Sequence, residues 1–296
     1  MSITLVIIGL IVGGILTGRD LIDAAAQRAQ VTQIQKYNVA VNTFRLKYGY
    51  LPGDIPDPTA SQFGFQSRGS LPGEGDGNGL LEGYSTVDGG NCGYYQGIGE
   101  TAMFWVDLSK DTMIDSSFHT ASSSSYPPGN ITDSSSPALK DYFPQAKIGN
   151  DNYMYVWSGG YQNVGYPCGS SKDGNNYFGL STINPLSNVG EMETTSTSLS
   201  VVQAYNIDKK IDDGLPQSGS VLAIYLNWHT PFPGSMAWAA GNGNFGAATG
   251  AGAPTTAATP YATTNCYDNN GVAGTQTYSV KQNANALNCA LSFKFQ

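Results

Sequence analysis

The stretch EGDGNGLLE, residues 74 to 82, holds the residue types that bind a hard cation. Glu74, Asp76 and Asn78 place side-chain oxygens at every second position, and Gly79 supplies a sharp turn. Leu80 stands where such a loop offers a main-chain carbonyl, and Leu81 is the apolar residue that turns inward. The pattern is half of an EF-hand-type calcium loop. The acidic residue expected at the loop's end falls on Ser85, which cannot chelate through two oxygens, so Glu82 is the substitute. The expected ligand set is Glu74, Asp76, Asn78, Leu80 and Glu82, with calcium as the one cofactor. The competing reading is a solvated acidic turn.

A second acidic group, Asp208, Asp212 and Asp213, sits beside Lys209 and Lys210 at the end of a helical stretch. It reads as a cation site, as subunit salt bridges, or as a solvated helix end. Catalysis finds no support. The chain has no G-x-S-x-G, P-loop or H-E-x-x-H pattern. His119 stands in a serine-rich loop and His229 follows a strand. Asn130-Ile131-Thr132 is the one N-x-[ST] sequon, so Asn130 is the candidate glycosylation site, in what reads as a flexible exposed loop.

Cys92, Cys168, Cys266 and Cys289 form no C-x-x-C pair, and two histidines are too few to make zinc attractive. An even number of cysteines points to disulfides in an oxidising compartment. Three pairings are possible. The short loop favours Cys266 with Cys289, worth about 3 kcal/mol in the chain-entropy view, and leaves Cys92 with Cys168. Charged residues make up only 12% of the 296, with 37 Gly and 18 Tyr, a composition of extracellular β-rich domains. The net charge of −8 disfavours nucleic-acid backbones.

The elements that position these residues begin with the N-terminus. Residues 3 to 16, ITLVIIGLIVGGIL, are nearly all apolar, too short for a full bilayer span and without the flanks of a secretory leader. The helical pattern instead runs on. Val31, Ile34, Tyr37, Val41, Phe44 and Tyr48 share one face, with Gln30, Gln33, Gln35, Lys36, Asn42, Arg45 and Lys47 opposite. Gly49 and Pro52-Gly53 stop the helix near residue 48. Residues 1–18 form its apolar part, which belongs in lipid or in a bundle of identical neighbours, and 19–49 its amphipathic part, which must lie on a globular domain, residues 50–296. Gly9, Gly13, Gly14 and Gly18 each cost roughly 1 kcal/mol against Ala in a helix. They mark a membrane helix, a close helix–helix contact, or a segment able to unwind.

Within the globular part, residues 50 to 91 read as a long surface loop. Helices are expected at 100–113, with Trp105 in the core, and at 199–211, capped by Ser198 or Ser200. Strands are expected at 153–166, 177–183 and 221–228, and in the closing stretches TQTYSVKQ and CALSFKF. The fold class is α+β: a long helix packed on an antiparallel sheet with long loops.

Residues 1 to 57, through the LPGDIP turn, resemble the N-terminal helix of type IV pilins and pseudopilins. GDGNGLLEG, ETAMFWVDLSKDTMID and AYNIDKKIDDGLPQSGSV are similar to a subgroup of large pilin-like proteins. Past residue 221 only the C-terminal cysteine pair is pilin-like. Family precursors are cut after a glycine, usually ahead of a methylated phenylalanine, with a glutamate soon after. Matching Gly9 to the family sets that glutamate just before Met1. The expectation is therefore a start at an internal methionine, with roughly five preceding residues completing a bilayer span.

The resemblance implies a pilin fold and an extracellular filament built from copies of this chain. Before assembly the subunit would sit as a single-pass inner-membrane protein, served by an assembly platform and a prepilin peptidase. The filament-core interface would comprise Ile3, Leu5, Val6, Ile8, Gly9, Leu10, Ile11, Gly13, Gly14, Ile15 and Gly18. A secretion-system pseudopilin and a minor pilin or adhesin are the neighbouring readings. A monomeric lipid-anchored binding protein is the alternative of a different class.

Overall fold

The computed structural model describes residues 2–85, 90–93, 95–158, 174–192, 195–227, 235–239, 263–268 and 276–295. Helix α1, Ser2–Tyr48, is one uninterrupted helix of 47 residues. Arg45 and Lys47 in its last turn oppose the negative end of the helix dipole. Gly49, at φ +80°, ends it and donates its N–H to the Arg45 carbonyl at 2.8 Å.

The second half of α1 lies in the head. Ile34, Tyr37, Val41 and Phe44 are buried, as their spacing predicts, with Val31 and Tyr48 partly covered. Gln30 and Gln33, expected on the polar side, are buried as well. The reason is the backbone they meet. The Gln30 Oε1 accepts the Ile148 N–H at 3.1 Å, and the Gln33 Oε1 accepts that of Lys147 at 3.0 Å. Gln33 Nε2 donates to the Gln145 carbonyl at 3.0 Å and to the Tyr37 hydroxyl at 2.9 Å. The two amides act as a polar seam for residues 145–148, where unpaired main-chain groups would be costly. Gln33→Ala is expected to lower head stability by about 1–3 kcal/mol in urea unfolding. The exposed neighbour change Gln35→Ala should fall within about 0.5 kcal/mol.

A helical turn α2, Thr59–Gln62, and a ribbon of β1, Gly83–Ser85, with β2, Gly90–Cys92, follow. Next come α3, Glu100–Lys110, then strands β3, Asn152–Ser158, β4, Asn176–Ile183, and β5, Thr195–Ser196. Helix α4, Val201–Ile211, is capped by the Ser200 hydroxyl, which accepts the Gln203 N–H at 3.2 Å, while the Gln203 amide returns to the Ser200 N–H. Beyond it lie β6, Val221–Leu222, β7, Ile224–Asn227, β8, Ser235–Trp238, β9, Tyr267–Asp268, and β10, Thr277–Tyr278. Helical turn α5, Val280–Asn283, and β11, Leu291–Lys294, complete the described chain.

The main sheet is antiparallel, in the order β3-β4-β11-β6, with β5 also paired to β4. Val156, Phe178, Phe293 and Val221 stand in one row across it. This face packs on α1 and α3, where the Tyr37 ring lies 6.0 Å from Phe178 and 5.1 Å from Trp105. The other face is covered by β7: the Tyr155 hydroxyl accepts the Leu226 N–H at 3.2 Å, and the Ser292 hydroxyl donates to the Ile224 carbonyl at 2.9 Å. Burial on both sides explains why β3 and β4 show no clean polar alternation. At Gly179 an added Cβ would strike the Tyr155 ring, so only glycine fits there.

Several expectations change. Residues 50–91 are no surface loop throughout: Leu51, Ile55, Ala60, Phe65 and Leu81 enter the core, because apolar side chains punctuate the turns. The serine-rich segment after residue 115 is pinned, with Phe118 and Ile131 buried and Ile131 exchanging main-chain bonds with Leu186. The 221–228 strand breaks at the buried Ala223 into β6 and β7, whose strands serve different sheets. In TQTYSVKQ the strand stops at Tyr278 and α5 begins at Val280, its N–H donors at Gln282 and Asn283 meeting the Ser279 carbonyl. Residues 159–166, Trp228 and His229 lie outside the described residues.

Candidate functional site

Two features stand apart from the packed head. The first is the free half of α1. Ile3 is 77% exposed, Leu5 70% and Leu10 72%; Val6, Ile8, Ile11 and Ile15 are also more than half exposed. The helix is long and apolar enough to cross a membrane, and its most apolar stretch is wholly unburied within this chain. A Cβ added at Gly9, Gly13, Gly14 or Gly18 would meet nothing within 4 Å. No contact among the described residues therefore calls for glycine at these four positions.

The second feature is a buried acid pair. Pro52 and Gly53 turn the chain out of α1 and bring Asp54 to the start of α3, where Glu100 occupies the first turn. Gly53 adopts φ +86°, and a Cβ there would collide with the Glu100 carbonyl. Asp54 Oδ1 accepts the Gly77 N–H at 2.8 Å, and Oδ2 that of Gly79 at 2.9 Å. Glu100 Oε1 accepts from Gly75 at 3.0 Å and Asp76 at 3.2 Å, while Oε2 accepts from Glu82 at 3.0 Å. The two carboxyls thus hold the 75–82 loop by its main chain.

Carboxylate oxygens of Asp54, Asp76 and Glu100 converge within 4.8 Å of one another. Burial, only partly offset by the Gly79 and Gly77 N–H groups, pushes the Asp54 carboxyl up to about 7. Burial raises Glu100 well above the usual carboxylate range, and the Asp54 charge adds to it. Hard oxygen donors of this kind suit calcium.

The expected ligand set is only partly assembled. Asp76 joins the trio. Glu74 is buried but turns back, its Oε2 accepting the Leu71 N–H at 3.0 Å. Asn78 bonds locally, its Oδ1 accepting from Leu80 N at 2.7 Å and its Nδ2 donating to Asp76 Oδ2 at 3.1 Å. Glu82 is buried outside the trio. Sequence reasoning missed Asp54 and Glu100. Both were legible only as a carboxylate after a turn glycine and a glutamate opening a helix.

Oxygens of Asp208, Asp212 and Asp213 also converge within 4.8 Å. Asp208 is buried, which overturns the solvated-end reading for that residue. It accepts the Tyr278 hydroxyl at 2.8 Å and the Gly214 N–H at 3.0 Å, and burial pushes it up to about 7. Asp212 accepts from Val221 N at 3.2 Å, so this group ties the end of α4 to β6 and β10. Cys266 and Cys289 are joined in a disulfide. Cys168 lies outside the described residues. Asn130 is exposed, and its Oδ1 accepts the Asn188 N–H at 2.9 Å. His119 is exposed.

Fold and site together define a mixed α+β head, stapled by a C-terminal disulfide, carried on a helix able to cross a membrane. No family model, no curated protein and no solved structure matches the chain.

Proposed function

We propose that this protein is the structural subunit of a type IV pilus-like extracellular filament, assembled through α1. The observation that carries the reading is the uncovered apolar half of that helix, with four glycines that no contact among the described residues requires. Before assembly a bilayer would cover residues 3–18, making the subunit a single-pass protein of the inner membrane. In the filament, copies of the same segment would cover one another, at ~1.5–3 kcal/mol for each large side chain buried. The head would form the outer wall. The assembly platform and prepilin peptidase are the partners that the pilin resemblance adds.

The oxygen trio of Asp54, Asp76 and Glu100 is where calcium would act on the head, by neutralising a buried pair of like charges. The filament reading is tested by shearing cells, imaging the released filaments and identifying their subunit by mass spectrometry. Filaments built mainly of this chain are expected. A chain confined to the membrane fraction, with no filaments released, overturns the reading and leaves the anchored monomer.

A further inference from the structure

Asn78 stands in the loop that Asp54 and Glu100 hold by its main chain, and the residue after it is Gly79. The side-chain amide of an asparagine can be attacked by the next main-chain nitrogen, most readily when that residue is glycine and puts no side chain in the way. A cyclic imide closes, ammonia leaves, and water later opens the ring. Asn242-Gly243 and Asn270-Gly271 share the dipeptide, so the sequence alone does not single out Asn78.

What the fold adds at Asn78 is a partner for each atom that reacts. The attacking nitrogen is that of Gly79, and its hydrogen is already given to Asp54 Oδ2 at 2.9 Å. The Asn78 side-chain oxygen, where negative charge builds as the new bond forms, accepts the Leu80 N–H at 2.7 Å. The departing nitrogen, Nδ2, donates to Asp76 Oδ2 at 3.1 Å. Hydrogen bonds ordinarily hold a side-chain amide in its resting state. Here the first two strengthen as the reaction proceeds, because the Gly79 hydrogen becomes more acidic and the Asn78 oxygen a better acceptor. Asn78 is exposed, so water reaches the product ring. Gly79 adopts φ +85°, so the turn itself requires the residue that the chemistry favours.

We infer that Asn78 is a self-modifying residue, which the folded head converts to aspartate and isoaspartate through an imide with the Gly79 nitrogen. The steps balance with water as the one reagent. The bond from Gly79 N to Asn78 Cγ forms while Asp54 takes the hydrogen. The bond from Cγ to Nδ2 then breaks, and the nitrogen leaves as ammonia with that proton. Carboxylate oxygens of Asp54 and Asp76 lie within 4.8 Å of one another, a gap that one water bridges on the way to Nδ2. Water opening the ring at Cγ gives aspartate, and opening at the main-chain carbonyl gives isoaspartate. Either product puts a new carboxylate beside Asp76. Isoaspartate also reroutes the main chain between the Gly77 and Gly79 N–H groups that Asp54 holds.

The test follows residue 78 in the full chain, purified in detergent and kept with chelator in weakly alkaline buffer, either native or in guanidinium chloride. Peptide mass spectrometry reads the loss of the amide, and enzymatic methylation of isoaspartate reads the isomer. In denaturant Asn78, Asn242 and Asn270 should convert at similar rates, which sets the unassisted rate. In the native protein Asn78 is expected to convert at least about tenfold faster than that. Asp54→Asn, with its fold checked by melting, should return Asn78 to the unassisted rate or below. A native rate at or below the denatured one overturns the inference, and this comparison needs no variant. A folded Asp54→Asn that converts as fast as the wild type overturns the part given to Asp54.

Discussion

Ile8→Asp is expected to abolish filaments while leaving the head folded. Ile8 is 57% exposed and contributes nothing to the buried core, so the melting temperature of the head should not move. Its environment before and after assembly is what changes. A carboxylate near the centre of a membrane helix costs about 2.5–3.5 kcal/mol on insertion scales. In a dry helix bundle it is an unpaired buried charge, costing about 3–5 kcal/mol. Three kcal/mol is roughly a hundredfold in an association constant. A polymer repeats the contact in every subunit, so filament yield should fall below detection. Ile8→Leu, which keeps volume and polarity, should assemble normally. Sheared-filament yield and head unfolding, measured on the same variants, check both halves. Wild-type yield from Ile8→Asp would refute an assembly role for the segment.

The acid pair sets a second expectation. Asp54 is raised to about 7 in the folded head against an ordinary value of 3.8, and Glu100 moves in the same direction. The folded state therefore holds these protons more tightly than the unfolded chain. Their stabilisation is complete below about pH 4, declines from there, and is lost as pH rises through about 7. In the presence of chelator the melting temperature should fall by at least about 5 °C between pH 5 and pH 8. The charges that face the pair are Asp76 and Glu82, both of the same sign. Asp76→Asn removes one of them, so it should raise the melting temperature at pH 8 in chelator.

Calcium should do the same for the wild type, by replacing the missing protons, and should do little for Asp76→Asn. Differential scanning calorimetry across this pH range, with and without calcium, separates the cases. A melt that is flat with pH would contradict the raised carboxyls. A melt that falls with pH and ignores calcium would leave a proton-dependent staple with no cation role.

The helix was the most legible part of the molecule. Apolar spacing at Ile34, Tyr37, Val41 and Phe44 is a local property, and a 3.6-residue period needs no knowledge of what it packs against. The Ser200 cap, the Trp105 burial and the C-terminal disulfide pair were readable for the same reason: each depends on residue type and short spacing. Two of the acid trio were hidden. Asp76 announced itself in a glycine-rich loop, whereas Asp54 joins it from the turn beyond α1 and Glu100 from the first turn of α3.

Polarity misled wherever the partner was distant main chain. Gln30 and Gln33 look solvent-facing until residues 145–148 arrive with unpaired N–H and carbonyl groups for them. Strands β3 and β4 lose their alternation because a helix layer covers one face and β7 the other. The amino-acid order by itself determined the long helix, the helices α3 and α4 and the favoured Cys266–Cys289 pair, all of which depend on local spacing. Tertiary structure alone decided which polar groups are buried, because burial of an amide or a carboxyl depends on a hydrogen-bonding partner far away along the chain.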